Sequence, residues 1–215
     1  MPNRNGLIAV FLACLLLGWW LANPANTLPS SDPGVATSVG ACPLPQLVSQ
    51  GAAPLQTKVP RDLTLPDLAD ARLTPLAGIS LDARVLGRED YRLGREADFS
   101  PTDLALGWDQ MRDDAVLDKL KISQSGRWYH YRWKDEPPLP VDEIVRSSAN
   151  MHMVPASDDV AQALRRIKPG QRVRINGWLV RIDADDGWHW KSSLRRDDSG
   201  GGACELVYVC EITSR

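Results

Sequence analysis

An apolar run from Gly6 to Ala22, preceded by Arg4 and carrying Trp19-Trp20 near its end, constrains this chain more than any other feature. As a helix it would measure about 25 Å, at the lower limit for a hydrocarbon core of about 30 Å. No acidic or polar face interrupts it, so it does not read as the amphipathic helix of a globular domain. Tryptophans near its end suit a membrane interface. Arg4 is the only basic side chain before Lys58, which predicts that the amino end stays inside and the rest is exported.

Three forms of export signal fit that run. Asn23-Pro24-Ala25 lacks a small residue at the first position of an Ala-x-Ala cleavage pattern, which favours an uncleaved anchor. Cleavage would instead release a secreted or periplasmic protein. Cys14, after Phe11-Leu12-Ala13, has the look of a lipid-attachment site, but the apolar run continues beyond it. The expected location is therefore the inner (cytoplasmic) membrane, crossed once through residues 6–22, with the carboxy-terminal domain in the periplasm.

Residues 23–60 contain seven prolines among Ser, Ala and Gly, with Asp32 as their only acid. No apolar periodicity survives there, which predicts a loosely extended tether. The remaining residues, 61–215, suffice for one domain with a real core. The organisation expected is an anchor or signal over 1–22, a tether over 23–60 and an extracytoplasmic α+β domain over 61–215. From residue 61 onward 23 basic residues face 26 acidic ones, so no overall charge bias points to nucleic acid.

The alternation Ile79, Leu81, Ala83, Val85 predicts a strand over about 77–87. Ser100-Pro101-Thr102-Asp103 resembles a helix start and predicts a short helix ending at Gly107. Asp113 to Lys121 reads as a second helix, and Arg127 to Trp133 as a strand. A helical turn is expected over Asp142–Ser148, then a non-repetitive stretch around Asn150 and His152. Ser157-Asp158-Asp159 caps a helix with the stripe Val160, Ala163, Leu164, Ile167, stopped by Pro169-Gly170.

The last 45 residues or so carry the clearest β pattern. Val173 and Ile175 oppose Arg172, Arg174 and Asn176, and after Gly177 the apolar set becomes Trp178, Val180 and Ile182. Such a phase change predicts a β-bulge at Asn176-Gly177. A turn at Asp183–Gly187, a strand over Trp188–Leu194, a Gly-rich loop over Asp197–Gly202 and a strand over Glu205–Thr213 complete the pattern. The fold class expected is α+β: a small curled antiparallel sheet or partly open, OB-like β-barrel with two to four short helices.

Cys204 and Cys210 would lie on one side of a strand, about 20 Å apart, too far to bond each other. Each reads as a small core residue, and a disulfide to either would need Cys42. No spacing for zinc, haem or a phosphate-cradling loop occurs, so no metal and no cofactor are expected. Arg165, Arg166, Arg172 and Arg174, in a stretch without acids, and Arg195 beyond it, form a candidate surface for anions or lipid headgroups. The alternative is a solvated helix face running into an exposed strand face.

Two functions follow. The first is a membrane-tethered extracytoplasmic interaction or assembly module of a bacterial-type cell envelope, with an envelope protein as partner and no nucleic acid. The second is an envelope hydrolase in which His152 activates Ser192 or Ser193 with Asp197 or Glu205 as the acid. No Gly-x-Ser-x-Gly elbow accompanies those serines.

Overall fold

The structure is a computed structural model that describes residues 42–68, 70–195 and 204–215. The expected anchor, the first part of the tether, and the whole Gly-rich loop from Asp197 to Gly202 lie outside the described residues. Among the described residues no helix is long and apolar enough to cross a membrane.

The domain is mixed α+β and mostly sheet. Its strands are β1 (Leu55–Thr57), β2 (Ala71–Asp90), β3 (Thr102–Gly107), β4 (Lys121–Ser125), β5 (Trp128–Arg132), β6 (Ser148–Pro155), β7 (Arg172–Ala184), β8 (His189–Lys191) and β9 (Glu205–Ser214). Its helices are α1 (Arg95–Phe99), α2 (Asp114–Leu117), α3 (Val141–Arg146) and α4 (Asp158–Arg166). Seven strands form one curled sheet in the order β1-β2-β3-β6-β9-β7-β8, and β2 also pairs with β7. The pairings thus pass from β2 through β3, β6, β9 and β7 and return to β2. All are antiparallel except β6 with β9. β4 and β5 form a separate hairpin.

Alternation explains how the curled sheet is filled. Ile79, Leu81, Leu104, Leu106, Met151, Met153, Val173, Ile175, Val207 and Val209 point inward as one buried cluster. Helix α4 closes it with Val160 and Leu164, and Ile167 follows at the helix end. Ser157 caps that helix as expected, its hydroxyl accepting from the Val160 amide at 3.3 Å. A second cluster covers part of the outer face: Leu65, Phe99, Val154, Trp178, Val180, Ile182, Leu206 and Tyr208.

This arrangement reinterprets the apparent phase change along β7. Val173, Ile175 and Leu179 all belong to the inner cluster, so the strand keeps its alternation throughout. Trp178, Val180 and Ile182 share the outer face with Arg174 and Asn176, and are apolar because the second cluster covers them. The irregularity is real but its extra residue is on the partner strand: Asn176 pairs with Glu211 and Gly177 with Val209, leaving Cys210 over. Glycine is required at 177 by proximity, since a Cβ there would run into the Tyr208 carbonyl. A second irregularity, at Leu76, lets β2 serve the outer cluster through Ala71 and Leu73 and the inner one from Ala77 onward.

Three other expectations are corrected. Thr102–Gly107 is a fully buried strand rather than a helix, because pairing with β2 and β6 outweighs a local cap signal. The stretch around His152 is strand β6. The predicted helix from Asp113 shrinks to the single turn α2, with β4 beginning at Lys121.

The tether expected to reach residue 60 gives way to packed structure in its described part. Strand β1 pairs with Gly78–Ser80 of β2. Val48 is buried and its amide donates to Ser80 Oγ at 2.8 Å, while Trp178 Nε1 donates to the Pro43 carbonyl at 2.7 Å. A disulfide joins Cys42 to Cys210, with Cα atoms 5.2 Å apart. This segment has no alternation to reveal it because it is held by backbone hydrogen bonds and one covalent link, not by an apolar stripe.

Candidate functional site

His152 lies directly opposite Asp103 across the β3–β6 ladder, on the face turned away from the inner core. Its Nδ1 is 2.9 Å from Asp103 Oδ1, a close polar contact that lacks the alignment of a hydrogen bond. Asn150, two residues back on the same face, donates from Nδ2 to Asp103 Oδ2 at 3.2 Å. Asp103 is completely buried and His152 is 2% exposed. A carboxylate at that depth needs compensation by charge and hydrogen bonds.

Compensation comes from the β4–β5 hairpin. Gly126 and Arg127 both adopt positive φ (58° and 71°), the geometry of a tight two-residue hairpin turn. For arginine that conformation costs about 1–2 kcal/mol. Its side chain offsets the strain: Nη1 donates to Asp103 Oδ1 at 2.8 Å and to the Ser100 carbonyl at 2.9 Å. The guanidinium sits 3.8 Å from the Tyr91 ring centroid and 5.6 Å from that of Trp190. The Arg127 amide donates to the Tyr91 hydroxyl at 3.0 Å, and its carbonyl accepts from Asn150 Nδ2 at 3.0 Å. Gln124 adds a bond from Nε2 to Asn150 Oδ1 at 2.8 Å. Burial pushes the Tyr91 phenol up, so it remains neutral in this network. Trp190 closes the last side, its ring centroid 4.7 Å from that of His152.

The serines of the expected hydrolytic set have backbone duties. Ser192 Oγ donates to the Ser193 carbonyl at 2.8 Å and accepts from the Leu206 amide at 3.0 Å. Leu206 is the residue that pairs with His152, so Ser192 reaches the same part of the sheet, but its hydroxyl is spent on fastening the chain there. The Ser193 hydroxyl exchanges hydrogen bonds with the Arg195 backbone. Glu205 is buried opposite Met151. Asp197 lies outside the described residues.

The five arginines of the predicted basic surface do not converge. Arg165 and Arg166 are exposed at the end of α4, and Arg165 lines a shallow depression of about 260 Å³ with Arg88, Asp90 and Tyr91. Arg195 is exposed beyond β8. Arg172 and Arg174 instead line a cleft of about 620 Å³ on the outer face of β2 and β7, together with Arg112 and Arg215.

Asp103, Arg127, Asn150, Tyr91 and Trp190 were absent from the expected site. Asn150 and His152 carried a usable sign, because residues two apart on a strand share a face. Ser125-Gly126-Arg127 between two alternating runs was the corresponding sign of a turn. Among the described residues no three His, Cys, Asp or Glu side chains are grouped to hold a metal ion. Comparison of the chain with protein-family models, with curated proteins and with solved structures finds no match.

Proposed function

We propose that the chain is a membrane-tethered extracytoplasmic interaction or assembly module of the cell envelope, built on an OB-like barrel. The circuit β2-β3-β6-β9-β7-β2, its parallel β6–β9 contact and the helix between β6 and β7 support that barrel reading. The fold itself carries no function. The Cys42–Cys210 disulfide favours an oxidising compartment, in agreement with the apolar run that precedes it in sequence.

The observation that carries the choice of binding over catalysis is the sealing of the buried His152–Asp103 pair. A general base must reach its substrate's proton. His152 and Asp103 are enclosed by Arg127, Asn150 and Trp190, and the Ser192 hydroxyl already serves the backbone. The cluster reads as a clamp that fixes the β4–β5 hairpin to the sheet and so holds the outer surface in one shape.

Two measurements on the full chain in detergent test this together. Affinity purification from solubilised membranes should retain a discrete envelope protein, and a fluorophosphonate probe for activated serines should leave Ser192 and Ser193 unlabelled. Labelling that disappears in both Ser192→Ala and His152→Gln would overturn the proposal in favour of the hydrolase.

A further inference from the structure

The outer face of β2 and β7 changes character along its length. Residues 78, 80, 176 and 178 are covered by the segment that runs from Cys42 to Gly51. Beyond Gly51 the cover stops, and the same face presents Asp82 opposite Arg174 and Arg84 opposite Arg172. The cleft that results is lined by four arginines, Arg112, Arg172, Arg174 and Arg215, and by one acidic side chain, Asp82. Its volume, about 620 Å³, suits a small ligand or a headgroup.

Asp82 does not neutralise this set; it organises it. One oxygen lies 3.4 Å from Arg112 Nη1 and the other 3.7 Å from Arg174 Nη2, and the Gly51 amide donates to the latter oxygen at 3.4 Å. These are long contacts that orient two guanidiniums while leaving most of their N–H groups unspent. Arg112 is also tied to the Gly51 carbonyl through Nη2 at 3.3 Å. Arg174 Nε is buried and has no hydrogen-bond partner among the described residues. Arg172 and Arg215 have no carboxylate within 4 Å among the described residues. Four permanently charged guanidiniums around Asp82, two of them with no carboxylate of another described residue close by, suit the oxygens of a tetrahedral phosphate.

We propose that this cleft binds a phosphate group, with Arg112 and Arg174 pre-oriented by Asp82 and Arg172 and Arg215 closing on the ligand. The phosphate could belong to a soluble phosphorylated compound or to an anionic lipid headgroup at the membrane surface. The inference rests on the cleft alone and does not depend on the reading of the chain as a tethered module.

The test uses the full chain in dodecyl maltoside. Inorganic phosphate is titrated calorimetrically at constant ionic strength, and mixed micelles containing phosphatidylglycerol are compared with micelles containing phosphatidylcholine. Saturable binding of phosphate or of phosphatidylglycerol should weaken about tenfold in Arg172→Ala and further in Arg172→Ala/Arg215→Ala, while Arg165→Ala/Arg166→Ala leaves it unchanged. Arg172 is exposed, so its loss leaves the fold intact. Phosphate binding without preference for phosphatidylglycerol assigns the site to a soluble ligand, whereas preference for phosphatidylglycerol assigns it to a headgroup. Binding of neither probe, or equal weakening by the Arg165/Arg166 pair, overturns the proposal.

Discussion

Replacing Cys210 by serine tests how the domain is held together. The disulfide closes a loop with a sequence separation of 168, for which loop-closure entropy predicts a stabilisation of about 5 kcal/mol. That value applies in full only if the segment beginning at Cys42 stays docked once the bond is gone. From Cys42 to Gly51 the segment is held by the Trp178–Pro43 and Val48–Ser80 hydrogen bonds, the weaker contacts of Gly51 with Asp82 and Arg112, and the burial of Pro45 and Val48. Such hydrogen bonds contribute about 1 kcal/mol each, against an ordering cost of about 1–2 kcal/mol per residue. The segment should therefore detach when the bond is removed, and the measured loss is limited to what docking contributes to the remainder of the domain. The expected loss is about 2–4 kcal/mol, or 1–2 M in urea midpoint at a slope of about 2 kcal/mol/M. Urea titration of the oxidised full chain and of Cys210→Ser, followed by tryptophan fluorescence, reads it directly. Limited proteolysis should find new cuts between residues 43 and 54 in the variant alone. Equal midpoints together with equal protease resistance would refute both the covalent link and the weak docking of the segment.

Two further outcomes are expected. Gly177→Ala should destabilise the domain by more than about 1 kcal/mol in the same titration, because the added methyl meets the Tyr208 carbonyl of the paired strand; an unchanged midpoint would mean that β7 and β9 are not so close there. Asp103→Ala should cost about 3–5 kcal/mol, since it leaves the Arg127 guanidinium against the sheet without its counter-charge and removes what offsets the strained turn; a cost under 1 kcal/mol would show that the hairpin does not depend on the buried ion pair.

What could be read from the sequence follows from which signals are local. Helix α4 was visible with both ends because Ser157, the acids after it, the Val160–Leu164–Ile167 stripe and Pro169-Gly170 all act within a few residues of one another. The alternation of β2 around Ile79–Val85 and of β5 was visible for the same reason. Strand β3 was not. Leu104-Ala105-Leu106 fits either period over so short a run, and the decision is made by β2 and β6, which lie elsewhere in the sequence. The ordered part of residues 42–60 was hidden because its attachments are backbone hydrogen bonds and a cysteine whose partner is 168 positions away.

The candidate site repeats that lesson at the level of single side chains. His152 was marked by its residue type, but its neighbours were set by register: Asp103 faces it only because β3 is a strand, and Arg127 reaches both only because a turn with two positive φ angles aims it inward. Reading 100–107 as a helix therefore removed the histidine's true carboxylate partner and left serines and acids from the chain's last quarter to take its place. The same dependence explains the arginines. Arg172 and Arg174 belong together because they are two apart on one strand face, whereas Arg165 and Arg166 are near in sequence but sit on a helix that caps the core from another side. A basic run is thus divided by the change of period at Pro169-Gly170, and only the strand half of it reaches Asp82 and the cleft.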